Sequence, residues 1–456
     1  MREKLMKSFS KNTSSLACRA HRYLRYEIRE IVKIANQIEL AGKKITWENI
    51  GDPIAKGHRP PQWLIEALTR QLQNPKVFGY GPSEGLMESR EYLCKMTNAR
   101  FQTSLQPEHI IFFNGLGDAI STFYRSIGAD VRILLPSPVY PAHYALEGFH
   151  ANDQPIQYPL MAENQWQPDF EFIRNALKKN PKIAGILLVN PDNPTGKVHS
   201  EDTLRKFVDI AREFKIFLML DEIYADIQTD SARSSNATSY LKDVGAIIMR
   251  GISKLVPWPG GRCGWLEFHL GTHQGLNKIR ETMIAHKQME VGSSTLPQAL
   301  IPIIFQPEHL EELKLKWSSF LKKRINTVMF HLSGIPGLTV HKPEGAFYLC
   351  AVFDSQLVGL NQTLPMETQF YHLIEDHLKN APLDKRFTLQ LLASTGICTI
   401  PLSSFYSSLS GFRMTLLEKS DLRFSRTCTE LSQTIQRFLD RDSRKRTDGL
   451  KKLKAS

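Results

Sequence analysis

No apolar run in the 456 residues approaches the ~18 that a membrane-spanning helix needs, so a bilayer-crossing function is excluded at the outset. Cysteine is sparse: Cys18, Cys94, Cys263, Cys350, Cys398 and Cys428 are scattered without metal-ligand spacing. That pattern argues against a metal site and for reduced thiols in a cytoplasmic setting. Internal repeats and low-complexity segments are missing too. Residues 1–26 contain no apolar core of signal-peptide length, so secretion is not expected. They are basic, contain serines and carry no acid from Lys4 to Tyr26, a composition that suits a mobile arm or a transit peptide; the arm is the simpler reading.

The net charge of +12 would ordinarily point to nucleic acid or an acidic membrane surface. Its distribution argues otherwise. Residues 1–26 hold seven Lys/Arg against one acid and residues 441–456 seven against two, which leaves +1 for residues 27–440. The body is nearly neutral, and the tails read as solvated ends, with a binding role as the alternative. What remains is a chain with 42% hydrophobic residues, enough for a large core divided among two or three domains.

Periodicity places the elements. Leu24, Ile28, Ile31, Val32, Ala35 and Ile38 recur at helical spacing and predict a helix from Tyr23 to Leu40, ended by Gly42. Further helices are expected over Trp63–Leu72, Leu86–Asn98, Ala119–Ser126 and Glu308–Leu332. Apolar runs at Ile110–Phe113, Val131–Leu135, Ile183–Val189 and Ile216–Leu220 predict strands, and one more strand is expected after Trp265.

Four strand ends carry chemistry. In Gly251-Ile-Ser-Lys254-Leu-Val-Pro-Trp-Pro-Gly-Gly-Arg262-Cys-Gly-Trp265, a lysine follows an apolar strand and an arginine stands eight residues on. Desolvation lowers the pKa of such a lysine, and its neutral amine can form a Schiff base with an aldehyde. The arginine offers a rigid fork for a phosphate; Cys263 beside it is either an acidified thiol or a packing residue. Asn190-Pro-Asp-Asn193-Pro-Thr-Gly196 and Asp221-Glu-Ile-Tyr224 each follow an apolar run in the same way. Asn114-Gly115-Leu116-Gly117-Asp118 turns a strand into a helix, a junction that aims backbone N–H groups at an anion.

Taken jointly and in this order, the lysine, asparagine and aspartate motifs resemble the class I/II aminotransferases of the alanine and aspartate aminotransferase type, from about Ile28 to Phe438. The resemblance implies a fold type I enzyme that uses pyridoxal phosphate (PLP). It implies an α/β fold: a large domain with a mostly parallel seven-stranded sheet flanked by helices, plus a smaller α/β domain from both chain ends. The boundaries expected are a basic arm at 1–26, small-domain residues 27–59, a PLP-binding domain at 60–308, a connector helix and small domain at 309–440, and a basic tail at 441–456.

By position, the resemblance implies that Lys254 carries the cofactor and later moves the Cα proton, while Asp221 holds the pyridine nitrogen protonated and Tyr140 stacks on the ring. Asn193 and Tyr224 would bond the ring hydroxyl; Gly115, Leu116, Gly117, Ser253 and Arg262 would cradle the phosphate, joined by Tyr80 from the partner subunit of a homodimer. Gly51 and Asn193 would lie over the substrate and Arg413 would hold its α-carboxylate. His143 matches a residue behind the ring aspartate in some members, and reads equally as a structural histidine.

One departure concerns Gly251, where many members carry a hydroxyl for the phosphate cup; its loss implies weaker phosphate binding. Another is Gly117, where some members acting on acidic substrates have a lysine, and no distal arginine stands out as a replacement. This favours alanine or another neutral amino acid as donor, with 2-oxoglutarate as acceptor in a ping-pong cycle. Aspartate transamination is the alternative, as is a PLP lyase or synthase on the same scaffold. A PLP-binding regulator with nucleic-acid-binding tails is the remote one, because about 26 residues before the first family-like helix are too few for an added domain.

Overall fold

The computed structural model describes residues 19–24, 27–230 and 236–440. Most of the expected N-terminal arm, the expected basic tail and Cys18 fall outside these residues. Among the described residues, no helix is long and apolar enough to cross a membrane.

The first strand, Thr46–Trp47 (β1), belongs to no large sheet and is described below with its partner. The main sheet has eight strands: Ile110–Phe113 (β2), Arg132–Ser137 (β3), Gln157–Met161 (β4), Gln167–Pro168 (β5), Ile183–Val189 (β6), Phe217–Asp221 (β7), Ala246–Gly251 (β8) and Gly264–His269 (β9). Their order is β2-β9-β8-β7-β6-β3-β4-β5. Pairing is parallel from β8 through β7, β6 and β3 to β4, while β9 runs antiparallel to both of its neighbours. The eighth member, β5, is a two-residue hairpin edge on β4, too short to show as an apolar run.

Both faces of the sheet are covered, which is why the central strands read as unbroken apolar runs. Alternate residues of β6 through β8 point to opposite sides: Leu187, Met219 and Ile247 pack with helices Leu116–Ser126 and Gln274–Met289. Ile186, Leu218 and Ile248 pack with helices Phe170–Lys179 and Glu201–Phe214. Near the end of β8 the buried Arg250 donates to Glu222 Oε2 at 2.8 Å, tying it to the residue that follows β7.

A second sheet is antiparallel and contains Leu338–Val340 (β10), Tyr348–Phe353 (β11), Ile400–Pro401 (β13) and Gly411–Thr415 (β14), in the order β10-β11-β14-β13. Just before it, Ile397–Cys398 (β12) pairs in parallel with β1, Thr46 opposite Ile397 and Trp47 opposite Cys398. This bond pattern brings the N-terminal segment against the C-terminal part of the chain.

Many element boundaries shift by a residue or more from the sequence reading, and the helix expected over Leu86–Asn98 runs Met87–Phe101. The first α-helix among the described residues runs Ile28–Leu40, after a 3-10 turn at Arg19–Tyr23, and Leu24 is 51% exposed instead of lying on its buried face. The helix after β2 begins at Leu116, three residues before the expected Ala119, because Gly115 at φ 85 turns the chain at once into helix. Trp265 lies inside β9 rather than before it.

Candidate active site

Ligands of open α/β sheets collect outside the carboxyl ends of the parallel strands. Here those ends are Val189, Asp221 and Gly251, and the chain just beyond each supplies a polar residue to a cavity of about 510 Å³. Lys254 lies three residues past β8, half-buried, with its Nζ donating to the Gly51 carbonyl at 2.9 Å. Burial lowers its pKa from 10.5 to about 8; Arg413 and Arg262 push the same way, and Asp52 and Asp221 oppose them.

Asp221 is buried at the last position of β7. Its Oδ2 faces His143 Nε2 at 3.0 Å and its Oδ1 accepts the Ile223 N–H at 3.2 Å. His143 is fully buried on the helix Pro141–Ala151 that begins just after Tyr140, and its Nδ1 has no hydrogen-bond partner among the described residues. The Asn193 loop is fastened beside this strand: the Asn190 N–H donates to the Asp221 carbonyl at 3.0 Å, and Asp192 Oδ2 accepts from the Thr195 hydroxyl at 2.5 Å. Burial raises the Asp192 carboxyl to about 7. Tyr224 shares a 2.8 Å hydroxyl contact with Tyr348, and burial keeps its phenol well above the ordinary value.

Arg413 stands in the middle of β14 at 3% exposure, its guanidinium 4.5 Å from the centre of the Tyr348 ring. One terminal nitrogen donates to the Asn49 carbonyl at 2.5 Å and the other to Asn193 Oδ1 at 3.4 Å. Its Nε is buried without a hydrogen-bond partner among the described residues. Such an orphan donor is costly unless something arrives to accept from it.

At the start of the Leu116–Ser126 helix, Arg262 donates to the Asn114 carbonyl at 3.3 Å. A Cβ on Gly115 would stand 2.5 Å from Arg262 Nη2, so the glycine is what lets the guanidinium sit against the helix N-terminus. Gly251 is equally confined: a Cβ there would meet the Cys263 carbonyl at 2.9 Å and Ile223 Cδ1 at 3.1 Å. The missing hydroxyl at this position therefore has a steric reason in this chain. Cys263 is buried with its thiol pushed up by burial, so the acidified-thiol reading fails and packing accounts for it.

Eleven sequence-predicted residues line the one cavity: Gly51, Leu116, Gly117, Tyr140, Asn193, Asp221, Tyr224, Ser253, Lys254, Arg262 and Arg413. Gly115 lies just behind, against Arg262. Tyr80 is not brought there; it is 91% exposed. Sequence reasoning missed Arg29, Asn49, Asp52 and Tyr348, which also line the cavity. Tyr348 is the first residue of β11, and no local pattern marks it as a cavity residue. Arg29 lies on the exposed side of the helix Ile28–Leu40.

A cavity of this composition at the carboxyl ends of such a sheet defines a class, the fold type I enzymes that work with pyridoxal phosphate. The family model for class I and II aminotransferases matches residues 43–441. An aminotransferase of Methanocaldococcus jannaschii is 40% identical over 418 residues, 91% of this chain and 97% of that protein. The glutamate-pyruvate aminotransferase AlaA of Escherichia coli is 26% identical over 394 residues, 85% of this chain and 96% of that one. The solved alanine aminotransferase of Pyrococcus furiosus matches with a TM-score of 0.78 at 27% identity, covering 91% of this chain and 98% of its own. The chain belongs to the class I and II aminotransferases, and it is a PLP-dependent aminotransferase.

Proposed function

We propose that the enzyme transfers the amino group of alanine, or a similar small neutral L-amino acid, to 2-oxoglutarate in a ping-pong cycle. The observation that carries this reading is the convergence of Lys254, Asp221 and Arg413 on one cavity whose lining includes apolar Ile28, Val32 and Ile50 and a bare Gly117. Nothing occupies the space a side chain at Gly117 would take. A lysine for an acidic donor side chain is thus missing, while Arg29 supplies a guanidinium suited to the distal carboxylate of glutamate and 2-oxoglutarate.

The donors present fit the cofactor. Arg262, Ser253 and the first amides of the Leu116–Ser126 helix would hold its phosphate, Asp221 its pyridine N–H, and Asn193 with Tyr224 its ring hydroxyl, with Tyr140 packing on the ring face. When bound, PLP supplies an electron sink that acidifies the substrate Cα–H bond. Asp221 is held in one orientation by His143 and the Ile223 amide, so its carboxyl would meet the pyridine nitrogen at a fixed place. Arg413 fixes the substrate carboxylate and thereby the direction of the Cα–H bond. Lys254, its pKa lowered by burial to about 8, has a larger neutral fraction near physiological pH than an exposed lysine and would move the proton at Cα. The partner's Tyr80 would complete the phosphate site in a homodimer, and residues 27–59 with 309–440 would form the smaller domain.

Adding single amino acids to the holoenzyme without an acceptor tests this reading. Alanine should convert the cofactor to pyridoxamine phosphate at least tenfold faster than aspartate, and double-reciprocal plots with 2-oxoglutarate should be parallel. Faster conversion by aspartate would overturn the choice of donor, and elimination products without pyridoxamine phosphate would identify a lyase. Arg29→Ala should raise KM for 2-oxoglutarate about tenfold while leaving the alanine half-reaction within about twofold.

A further inference from the structure

Away from this cavity, a smaller pocket of about 110 Å³ opens between His58, the long helix Pro307–Leu332 and Lys419. Its floor is apolar and aromatic: Pro257, Leu313, Trp317 and Phe320. The His58 ring stacks on Trp317 with centroids 5.1 Å apart and meets Phe320 edge-on at 4.8 Å. Its Nε2–H donates to the Leu417 carbonyl at 3.0 Å. Burial, reinforced by Lys419 and Lys316, lowers the imidazole pKa, so the ring adds no charge of its own at neutral pH.

The rim is cationic. Arg59, Lys316 and Lys419 all line the pocket, and none forms an ion pair among the described residues. Carboxylates adjoining this segment are committed elsewhere: Glu418 to Arg423 at 3.0 Å, and Asp421 to Arg324 at 2.7 Å and to Lys323. An aromatic floor beneath three uncompensated cations matches a ligand with an apolar body and a negative head. The volume is below the roughly 150 Å³ of an apolar cavity that admits benzene, which limits the body to a few carbons.

The surrounding segments are those that build the catalytic cavity. The Trp317 indole N–H donates to the Leu255 carbonyl at 2.7 Å, one residue from Lys254, and Pro257 lies in the same loop. His58 closes the loop that begins at Gly51, and Leu417 follows the strand of Arg413. We propose that this pocket is a second binding site, for a small branched aliphatic carboxylic acid, and that its occupancy alters turnover in the Lys254 cavity.

Equilibrium dialysis of the holoenzyme against radiolabelled 3-methylbutanoate tests the site independently of the amino-donor assignment. Because Arg413 also offers the catalytic cavity to carboxylates, wild type should bind two equivalents per subunit and the exposed double variant Arg59→Ala/Lys419→Ala only one. The variant's cofactor spectrum and its kcat without the acid should match wild type. One equivalent in both proteins would overturn the site, and loss of the second equivalent to an equal concentration of inorganic phosphate would overturn the apolar specificity. With the fastest amino donor, the acid should change kcat at least twofold in wild type and inhibit purely competitively in the variant. Identical inhibition patterns in the two would overturn the coupling.

Discussion

At Lys254 the cost of burial exceeds what nearby carboxylates return, so the ammonium is less stable in the folded protein than in water. The sign for stability follows. A folded pKa of about 8 against 10.5 means that the lysine destabilises the apoprotein fully below pH 8, and that the penalty fades as pH rises toward 10.5. Lys254→Met should therefore abolish transamination and the cofactor's lysine-bound absorption band, yet stabilise the apoprotein at pH 7 by up to about 3 kcal/mol. Urea melts at pH 7 and pH 10 should show that gain shrinking at the higher pH. Arg413→Lys keeps the charge but loses the planar fork, and should raise KM for amino donors about 30-fold, roughly 2 kcal/mol, with a smaller change in kcat.

At the scale of elements, what matters is how strand ends and helix starts are joined. The confinement of Gly251 between Cys263 and Ile223 predicts that Gly251→Ser will not restore a phosphate-cup hydroxyl. It should destabilise the fold by about 1–3 kcal/mol and leave PLP affinity unimproved, as read by thermal melts and cofactor titration. The same scale explains what the sequence made legible. Asp221, Asn193 and Lys254 each follow an apolar run, so their placement at strand ends could be read locally. Arg29 and Tyr348 could not, because their membership of the cavity depends on packing between distant segments; Tyr348 meets Tyr224 across 124 positions. The buried partner of Asp221, His143, lay between, since its position was visible but its 3.0 Å contact needed the fold.

For the whole molecule, the exposure of Tyr80 and of nearby Phe78 on one loop fits a surface completed by a second copy. Tyr80→Ala should weaken PLP retention about tenfold in the assembled enzyme while the isolated chain's fold, followed by circular dichroism, is unchanged. Hybrid dimers joining Tyr80→Ala to Lys254→Met subunits should retain either one intact site or none, according to which subunit supplies each residue.

The pairing of Thr46–Trp47 with Ile397–Cys398 also has a consequence for synthesis on the ribosome. Lys254, Asp221 and the sheet that carries them emerge early enough to fold while translation continues. The segment bearing Gly51 has no strand partner until residue 398 has cleared the exit tunnel, and Arg413 follows later still. A domain that gathers both ends of a chain is finished last. Lys254 is thus kept without Arg413, which lines the same cavity, until nearly the whole polypeptide has been made, so a truncated product can hold the sheet and its lysine but not the complete cavity.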